Sequence, residues 1–358
     1  MRFFIRTDAS AEMGTGHVMR CLTLADELRK NKHEVWFIYK KMPIHFIHLF
    51  ESKGINYFRY ETITQDDGSV EDARSMTLKL MQLQVSYSNM DWLIIDHYGI
   101  DHIWEDIVRP IFSNIMVIDD LANRRHTCEL LLDTNLSDVT GKRYDGLVSK
   151  ETIKLLGPEY ALLREEFGYE RSQMLASDRI LTVKPRNVLV CFGGTDPTNE
   201  TFKVIRAIEH YILQDDSIVV TVVLGKANPH IKIIENQYTN HKQIRLCIQP
   251  SSMALEMVRS HFAICGGGTM TWERYCMGLP AIVIAIADNQ VNVAKQGDLR
   301  GIDRYIGESE NVTEEEILSN FQNIVANFKD LKQARQLALE IVDGQGAVRV
   351  MNALEGIK

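Results

Sequence analysis

Phe3-Phe4-Ile5-Arg6-Thr7-Asp8-Ala9-Ser10, followed by Met13-Gly14-Thr15-Gly16-His17-Val18-Met19-Arg20-Cys21-Leu22, reads as a strand, a glycine-bearing turn and a helix. Phe3 to Ile5 supply the apolar run. Val18, Cys21, Leu22, Ala25 and Leu28 then recur at three- and four-residue spacing, the pattern of a helix with one buried face. A helix start presents free N–H groups and partial positive charge, and glycines let a ligand approach the backbone closely. An anion pocket is therefore expected at Gly14-Thr15-Gly16. A histidine beside it is expected to accept a proton near neutral pH. A phosphate-bearing substrate with His17 as general base is one reading of this stretch. A tight turn followed by a packing or capping histidine is the other.

Outward from this stretch the pattern repeats. Strands are expected over 34–39, 55–58, 91–96, 115–118 and 130–132, with helices near 44–52, 70–83 and 101–109. Such alternation indicates a doubly wound parallel sheet. It then restarts with a strand over 187–192, the turn Gly193-Gly194-Thr195-Asp196-Pro197 and a helix over 201–212. Further strands are expected at 218–224, 244–248, 262–265 and 281–285. The tail over 313–354 reads as helical, opened by a Thr313/Glu316 capping box. The fold expected is α/β, with two Rossmann-like domains facing a cleft. The expected divisions are 1–170, a linker over 171–186, 187–340 and a C-terminal helix over 341–358.

The chain has 358 residues, 45% hydrophobic and 25% charged, which suits an ordinary two-domain globular protein. Its 40 basic and 48 acidic side chains give a net charge of -8. Without a long basic run, nucleic acid is disfavoured as a partner. No apolar run approaches the roughly 18–20 residues of a membrane span, and the first residues lack a signal-peptide core. The six cysteines are scattered without a CxxC pair and read as buried small residues, not as a metal or disulfide framework. A cytoplasmic, monomeric protein away from membranes is expected.

The turn at Gly193 and Thr195 can donate N–H groups to a diphosphate, or can simply connect strand to helix. More informative is Cys265-Gly266-Gly267-Gly268-Thr269-Met270-Thr271-Trp272-Glu273, since successive glycines before a helix suit close packing against the backbone. Thr269 can cap that helix. Glu273, one turn inside, can accept hydrogen bonds from both hydroxyls of a ribose, or merely stabilise the first turn by ~0.3–1 kcal/mol. Asn289 is placed to orient a ligand or water, or to cap a helix from Val291. No turn matches GxGxxG or GxxxxGK[ST], which disfavours a nicotinamide cofactor and ordinary ATP hydrolysis.

Taken in order, Asp8-Ala9-Ser10 through Gly14-Thr15-Gly16-His17-Val18-Met19-Arg20-Cys21, Ile118-Asp119-Asp120-Leu121-Ala122-Asn123-Arg124, Phe192-Gly193-Gly194-Thr195-Asp196-Pro197 and Gly266-Gly267-Gly268-Thr269 with Glu273 resemble one family over nearly the whole chain. It is the nucleotide-sugar hydrolases acting on UDP-2,4-diacetamido-2,4,6-trideoxy-β-L-altropyranose in bacterial pseudaminic acid biosynthesis. The third glycine turn is shared more widely with GT-B glycosyltransferases of the MurG type. The resemblance implies a GT-B fold and cofactor-free, metal-independent hydrolysis to UDP and free sugar with inversion. It implies His17 as general base, with Gly14, Thr15 and Gly16 around the reacting centre. Glu273 and its preceding glycine turn would hold the uridine diphosphate, and Asn289 the sugar or the water. Asp8 lies in the motif without an assigned step, and Asp119-Asp120 read as polar caps at a strand end. UDP is a good leaving group, so a single base can suffice where glycosidases pair two carboxylates. The competing readings are a glycosyltransferase, a hydrolysing UDP-sugar 2-epimerase and a binding module.

Overall fold

Strands apolar on both faces need helices on both sides, and that requirement shapes each half of the chain. The structure, a computed structural model, describes residues 1–10, 13–62, 67–83, 91–136, 142–177 and 186–357. It divides into two units, Met1–Leu162 with Gln345–Lys358, and Leu163–Gly344.

Unit 1 runs β1 (Arg2–Thr7), α1 (Gly16–Lys30), β2 (Glu34–Tyr39), α2 (Ile44–Lys53), β3 (Asn56–Arg59), α3 (Val70–Gln82), β4 (Trp92–Asp96), α4 (His102–Val108), β5 (Asn114–Ile118), β6 (Leu130–Asp133) and β7 (Ile153–Leu156). The seven strands order as β3-β2-β1-β4-β5-β6-β7 and pair in parallel. Alternation along β1 shows why both faces are dry. Phe3 and Ile5 join Val18, Cys21 and Leu28 on one side, whereas Phe4 joins Met76, Leu80 and Trp104 on the other.

Unit 2 contains α5 (Glu165–Ala176), β8 (Asn187–Cys191), α6 (Glu200–Ile212), β9 (Val219–Leu224), α7 (Ile231–Tyr238), β10 (Ile244–Ile248), α8 (Met253–Arg259), β11 (Phe262–Cys265), α9 (Met270–Cys276), β12 (Ala281–Ala285), α10 (Asp288–Leu299), β13 (Arg304–Glu308), α11 (Glu314–Ala326) and α12 (Phe328–Ile341). Its six strands order as β10-β9-β8-β11-β12-β13, again parallel. Beneath the third glycine turn, buried Arg274 clamps Asp303 with bonds of 2.8 and 2.9 Å, and the Tyr275 hydroxyl donates to the same carboxylate. The last helix, α13 (Gly346–Gly356), returns to unit 1, where Val350, Met351 and Leu354 pack with Phe3 and Val18.

The first division, after Leu162, comes ahead of the linker expected over 171–186, and the chain returns to unit 1 after Gly344. Helix α5 continues through Ala176, and Arg171 donates to the carbonyls of Cys276 and Leu339 inside unit 2. Residues 178–185 of that linker lie outside the described residues. Strands β7 and β13 were not expected. Both are sheet edges with mostly half-exposed side chains, so neither carries the apolar run that marks an inner strand. The capping box at Thr313 is present, with bonds to and from Glu316. Among the described residues no helix is long and apolar enough to cross a membrane.

Candidate functional site

In a doubly wound sheet, ligands gather where the strand order reverses, beyond the strands' carboxyl ends. The reversal falls between β1 and β4 in unit 1, and between β8 and β11 in unit 2. All three glycine turns leave strands at these points: one after β1, the others after β8 and β11.

In unit 1 the turn after β1 closes on itself. Gly14 bridges Ser10 through its N–H at 2.9 Å, and the Ser10 hydroxyl accepts from Met13 N–H at 3.1 Å. Gly14 has φ +74°, a left-handed conformation that glycine adopts without strain. Thr15 holds the N-cap position of α1 and is exposed, with Gly14 and Gly16 half-buried beside it. His17 lies inside the first turn of α1 and is 5% exposed. Its Nδ1 is 2.5 Å from Asp96 Oδ1 at the end of β4, and the Tyr98 ring stands edge-on at 4.6 Å. Register explains the meeting: Thr7 on β1 pairs with Asp96 on β4, so α1 begins just above that carboxylate.

Arg20, one helical turn after His17, grips Asp96 through Nε and Nη2, each at 2.6 Å, and reaches Asp120 through Nη1 at 3.1 Å. Burial alone would push the Asp96 carboxyl up, but Arg20 and then His17 hold it well below the usual carboxylate range. An ionised Asp96 only accepts hydrogen bonds, so His17 Nδ1 carries the hydrogen toward it. The 3.1 Å approach of Arg20 Nη2 to that nitrogen is then a contact between two donors. In neutral His17 the free lone pair belongs to Nε2. An imidazole oriented by a buried carboxylate, with its far nitrogen basic, is the arrangement of a general base.

A second buried network lies alongside. Arg6 pairs with Asp8 at 2.9 Å and donates to Tyr60 at 2.8 Å, and Tyr60 donates to Asp72. Lys40 pairs with Asp67 at 2.7 Å and with Asp72 at 3.0 Å. Asp8 also accepts the backbone N–H groups of Lys40 and Lys41, fixing the end of β2 against β1. Asp8, Asp67 and His97 offer ligand atoms within 4.8 Å of one another. Arg6 and Lys40 already balance those carboxylates, however. His97 Nδ1 accepts from Gly99 N–H at 3.0 Å, leaving its hydrogen on Nε2. A metal ion would have to displace Lys40 and reverse that tautomer, so the cluster is a charge network.

In unit 2, Gly193 has φ +84° and is exposed, and Thr195 is half-buried. Gly194 packs so closely on Gly225 that a Cβ on the latter would lie 2.3 Å from the Gly194 carbonyl oxygen. Asp196 caps α6, accepting from Glu200 and Thr201 N–H groups. In the third turn Gly266 and Gly267 are buried, Gly268 half-buried and Thr269 exposed. The Gln290 side-chain oxygen Oε1 accepts from Gly267 N–H at 3.0 Å and from Ile286 N–H at 3.2 Å, tying the turn to the start of α10. Glu273 faces Arg164 at 3.3 Å, and Arg164 also pairs with Glu166 at 2.6 Å. Burial raises the Glu273 carboxyl and Arg164 opposes it.

Two local expectations change. Thr269 sits at the N-cap position of α9 with helical φ and ψ, and its side chain makes no capping bond. Asn289 is not the cap of a helix from Val291, because α10 begins at Asp288 and holds Asn289 in its exposed first turn. The residues with the strongest geometry, Asp96, Arg20 and Gln290, had been given no role. The available signal for Asp96 was an aspartate closing a buried strand; that this strand lies beside β1 emerges only from the sheet order.

Two Rossmann-like parallel-sheet units of seven and six strands define a GT-B-type α/β protein. The MurG of Acinetobacter baumannii superposes with a TM-score of 0.67 over 99% of both chains at 13% identity. The UDP-GlcNAc 2-epimerase of Neisseria meningitidis gives 0.64 over 99% of this chain and 100% of that one, at 10% identity. No protein-family model matches. In sequence, the chain is a distant relative of the UDP-2,4-diacetamido-2,4,6-trideoxy-beta-L-altropyranose hydrolase of Campylobacter jejuni. The two are 25% identical over 295 residues, 82% of this chain and 95% of that protein. The spore coat polysaccharide biosynthesis protein SpsG of Bacillus subtilis is 23% identical over 360 residues, 100% of this chain and 98% of its own length. An uncharacterized protein of Methanocaldococcus jannaschii is 27% identical over 290 residues, and the match spans 79% of this chain but only 55% of that protein.

Proposed function

We propose that the chain hydrolyses a UDP-linked 2,4-diacetamido-2,4,6-trideoxy hexose to UDP and the free sugar, with inversion at the anomeric carbon and without metal or cofactor. The observation that carries this reading is His17 held by Asp96, itself clamped by Arg20. Water attacks the anomeric carbon and gives its proton to His17 Nε2. The bond from that carbon to the β-phosphate oxygen breaks, and its electron pair leaves with UDP. Gly14, Thr15 and Gly16 surround the reacting centre. Backbone amides at Gly193, Thr195, Gly268 and Thr269 meet the diphosphate as negative charge develops on it. Gly267 supports that turn, with its N–H held by Gln290. Glu273 takes the ribose hydroxyls in exchange for part of its pairing with Arg164, and Asn289 contacts the sugar. The protein acts as a cytoplasmic monomer.

Support comes from the match to a named hydrolase along most of both chains, joined to a base geometry that pure binding does not need. The test is incubation of the purified protein with a panel of UDP-sugars, without acceptor or metal, following UDP release and anomeric configuration by NMR. Release from the 2,4-diacetamido donor with inversion is expected. Release only after an acceptor is added would make the protein a transferase, and loss of activity to EDTA would contradict the metal-free mechanism.

A further inference from the structure

We infer that Arg164 positions Glu273 for the nucleoside: braced by Glu166 and Phe167, it keeps that carboxylate an acceptor and so sets the preference for a ribonucleotide, an inference that rests on the ribose role proposed for Glu273. Arg164 stands at the N-cap position of α5 and makes no capping bond. A cation is disfavoured at a helix start, so its place there needs compensation from outside the helix. The guanidinium bridges two carboxylates, with Nη1 2.6 Å from Glu166 Oε1 and Nη2 3.3 Å from Glu273 Oε1. It also lies over the Phe167 ring, 5.2 Å from the centroid. Ser252, at the start of α8, donates to the other oxygen of Glu166. A half-exposed arginine has many rotamers open to it, and these contacts hold this one in place.

Glu273 is touched on one oxygen only, at that longer distance. Its Oε2 has no hydrogen-bond partner among the described residues, and the side chain is 22% exposed, so the carboxylate is open to a ligand. An ionised carboxylate has about four acceptor sites, so it can take two hydroxyls while staying beside Arg164. Its charge is contested, however. Burial pushes the carboxyl up, Arg164 pulls it down through charge and hydrogen bond, and Glu166 adds a smaller push upward.

The other ionisable groups around α9 do not replace Arg164. Arg171 of α5 and Arg335 of α12 donate to the carbonyls of Cys276 and Gly278, at the far end of the helix. Arg274 and Tyr275 are bonded to Asp303. Burial pushes the thiols of Cys191 and Cys276 up to about 12 and that of Cys265 to about 11, so all three stay neutral. Asp343 adds only negative charge, near Cys276. Without Arg164, Glu273 and Glu166 would face each other as two carboxylates. A protonated Glu273 would lose the charge-assisted bonds to ribose, which are roughly twice as strong as neutral ones.

The experiment is titration calorimetry with UDP and with 2′,3′-dideoxy-UDP from pH 6 to 8, on wild type, Arg164→Gln, Arg164→Lys and Glu273→Gln. The ratio of the two affinities isolates the hydroxyls, because the phosphates titrate alike in both ligands. In wild type the ratio is expected to favour UDP and to change little with pH. A carboxyl raised by burial loses its charge as pH falls. In Arg164→Gln the ratio should therefore stay near wild type at pH 8 and drop roughly 10-fold by pH 6. Arg164→Lys returns the charge and should recover most of it. A ratio in Arg164→Gln that is unchanged, or lowered equally at every pH, would overturn the inference, as would lysine behaving like glutamine. Equal wild-type affinity for both ligands, with Glu273→Gln binding UDP as wild type does, would remove the ribose role and this inference together. The UDP-release panel does not depend on that ratio and decides the hydrolase reading separately. Arg164→Met, which keeps the stem over Phe167, takes the place of the glutamine variant if that one fails to fold.

Discussion

His17 and Asp96 lie 79 positions apart in the sequence, yet Nδ1 of one is 2.5 Å from Oδ1 of the other. The pairing follows from strand register, not from local sequence. β1 and β4 are neighbours although β2 and β3 intervene in the chain, and Thr7 aligns with Asp96. The carboxylate is buried, so it fixes both ring orientation and tautomer in an environment where a misplaced proton would be costly.

Asp96→Asn should reduce turnover by ~10²–10⁴-fold, because an amide can donate to Nδ1 and move the imidazole hydrogen to Nε2. Loss of the charge also leaves Arg20 without its main partner, so thermal stability should fall by about 3–5 kcal/mol. Steady-state kinetics and calorimetric melting read the two effects separately. Full activity in this variant would remove Asp96 from the mechanism.

His17→Leu should nearly abolish turnover, by at least ~10²-fold, while UDP affinity stays near wild type. Leucine suits a position that is already 5% exposed on a helix packed on the sheet, so the fold should persist. Isothermal titration with UDP, beside a UDP-release assay, checks both halves. Near-normal release would sink the general-base role.

Gly267→Ala should weaken UDP binding by roughly 10-fold with a modest loss of stability. The added methyl would lie 3.2 Å from the Gln290 carbonyl oxygen and 3.3 Å from its Cβ, forcing the glycine turn away from α10. Overpacking of this kind typically costs ~1–3 kcal/mol. Titration with UDP alone is sufficient, and unchanged affinity would show that the turn does not set the nucleotide site.

His97 makes stability depend on acid in a definite direction. Burial, and then the charge on Arg6, push its imidazole down to about 4 from the ordinary 6.5. Between those values the unfolded chain holds a proton that the native protein does not. Its contribution is therefore complete above pH ~6.5 and is lost as pH falls toward ~4, on the order of 3 kcal/mol. His97→Gln keeps an acceptor for Gly99 N–H and should flatten this limb. Melting temperatures across pH 4–7 test it, and parallel wild-type and variant curves would rule the device out.

Much of the fold was legible because inner parallel strands announce themselves. Leu130-Leu131-Leu132 and Ala281-Ile282-Val283-Ile284 are buried on both faces and need no partner to be recognised. Edge strands such as Arg304–Glu308 carry no such mark. The turn before His17 was legible for a similar reason, since glycines beside a helix start limit what the backbone can do. The partners of His17 were not, because Asp96 becomes meaningful only once strand order is known. Asn289 was misplaced through a boundary set three residues late, which turned a first-turn residue into a cap. Gln290 could not be read at all, as its contact joins the turn after β11 to the first turn of α10, which follows a different strand.

Helix α13 closes unit 1 only after the chain has passed through all of unit 2. During synthesis the β1–α1 layer therefore leaves the ribosome without the helix that covers Phe3 and Val18. At ~5–20 residues per second, the 182 residues from Leu163 to Gly344 (344 − 162) hold that apolar surface uncovered for roughly 10–40 s. The inserted unit can complete itself first. The unit carrying His17 is the last to mature, which makes it the natural client of any chaperone that binds this nascent chain.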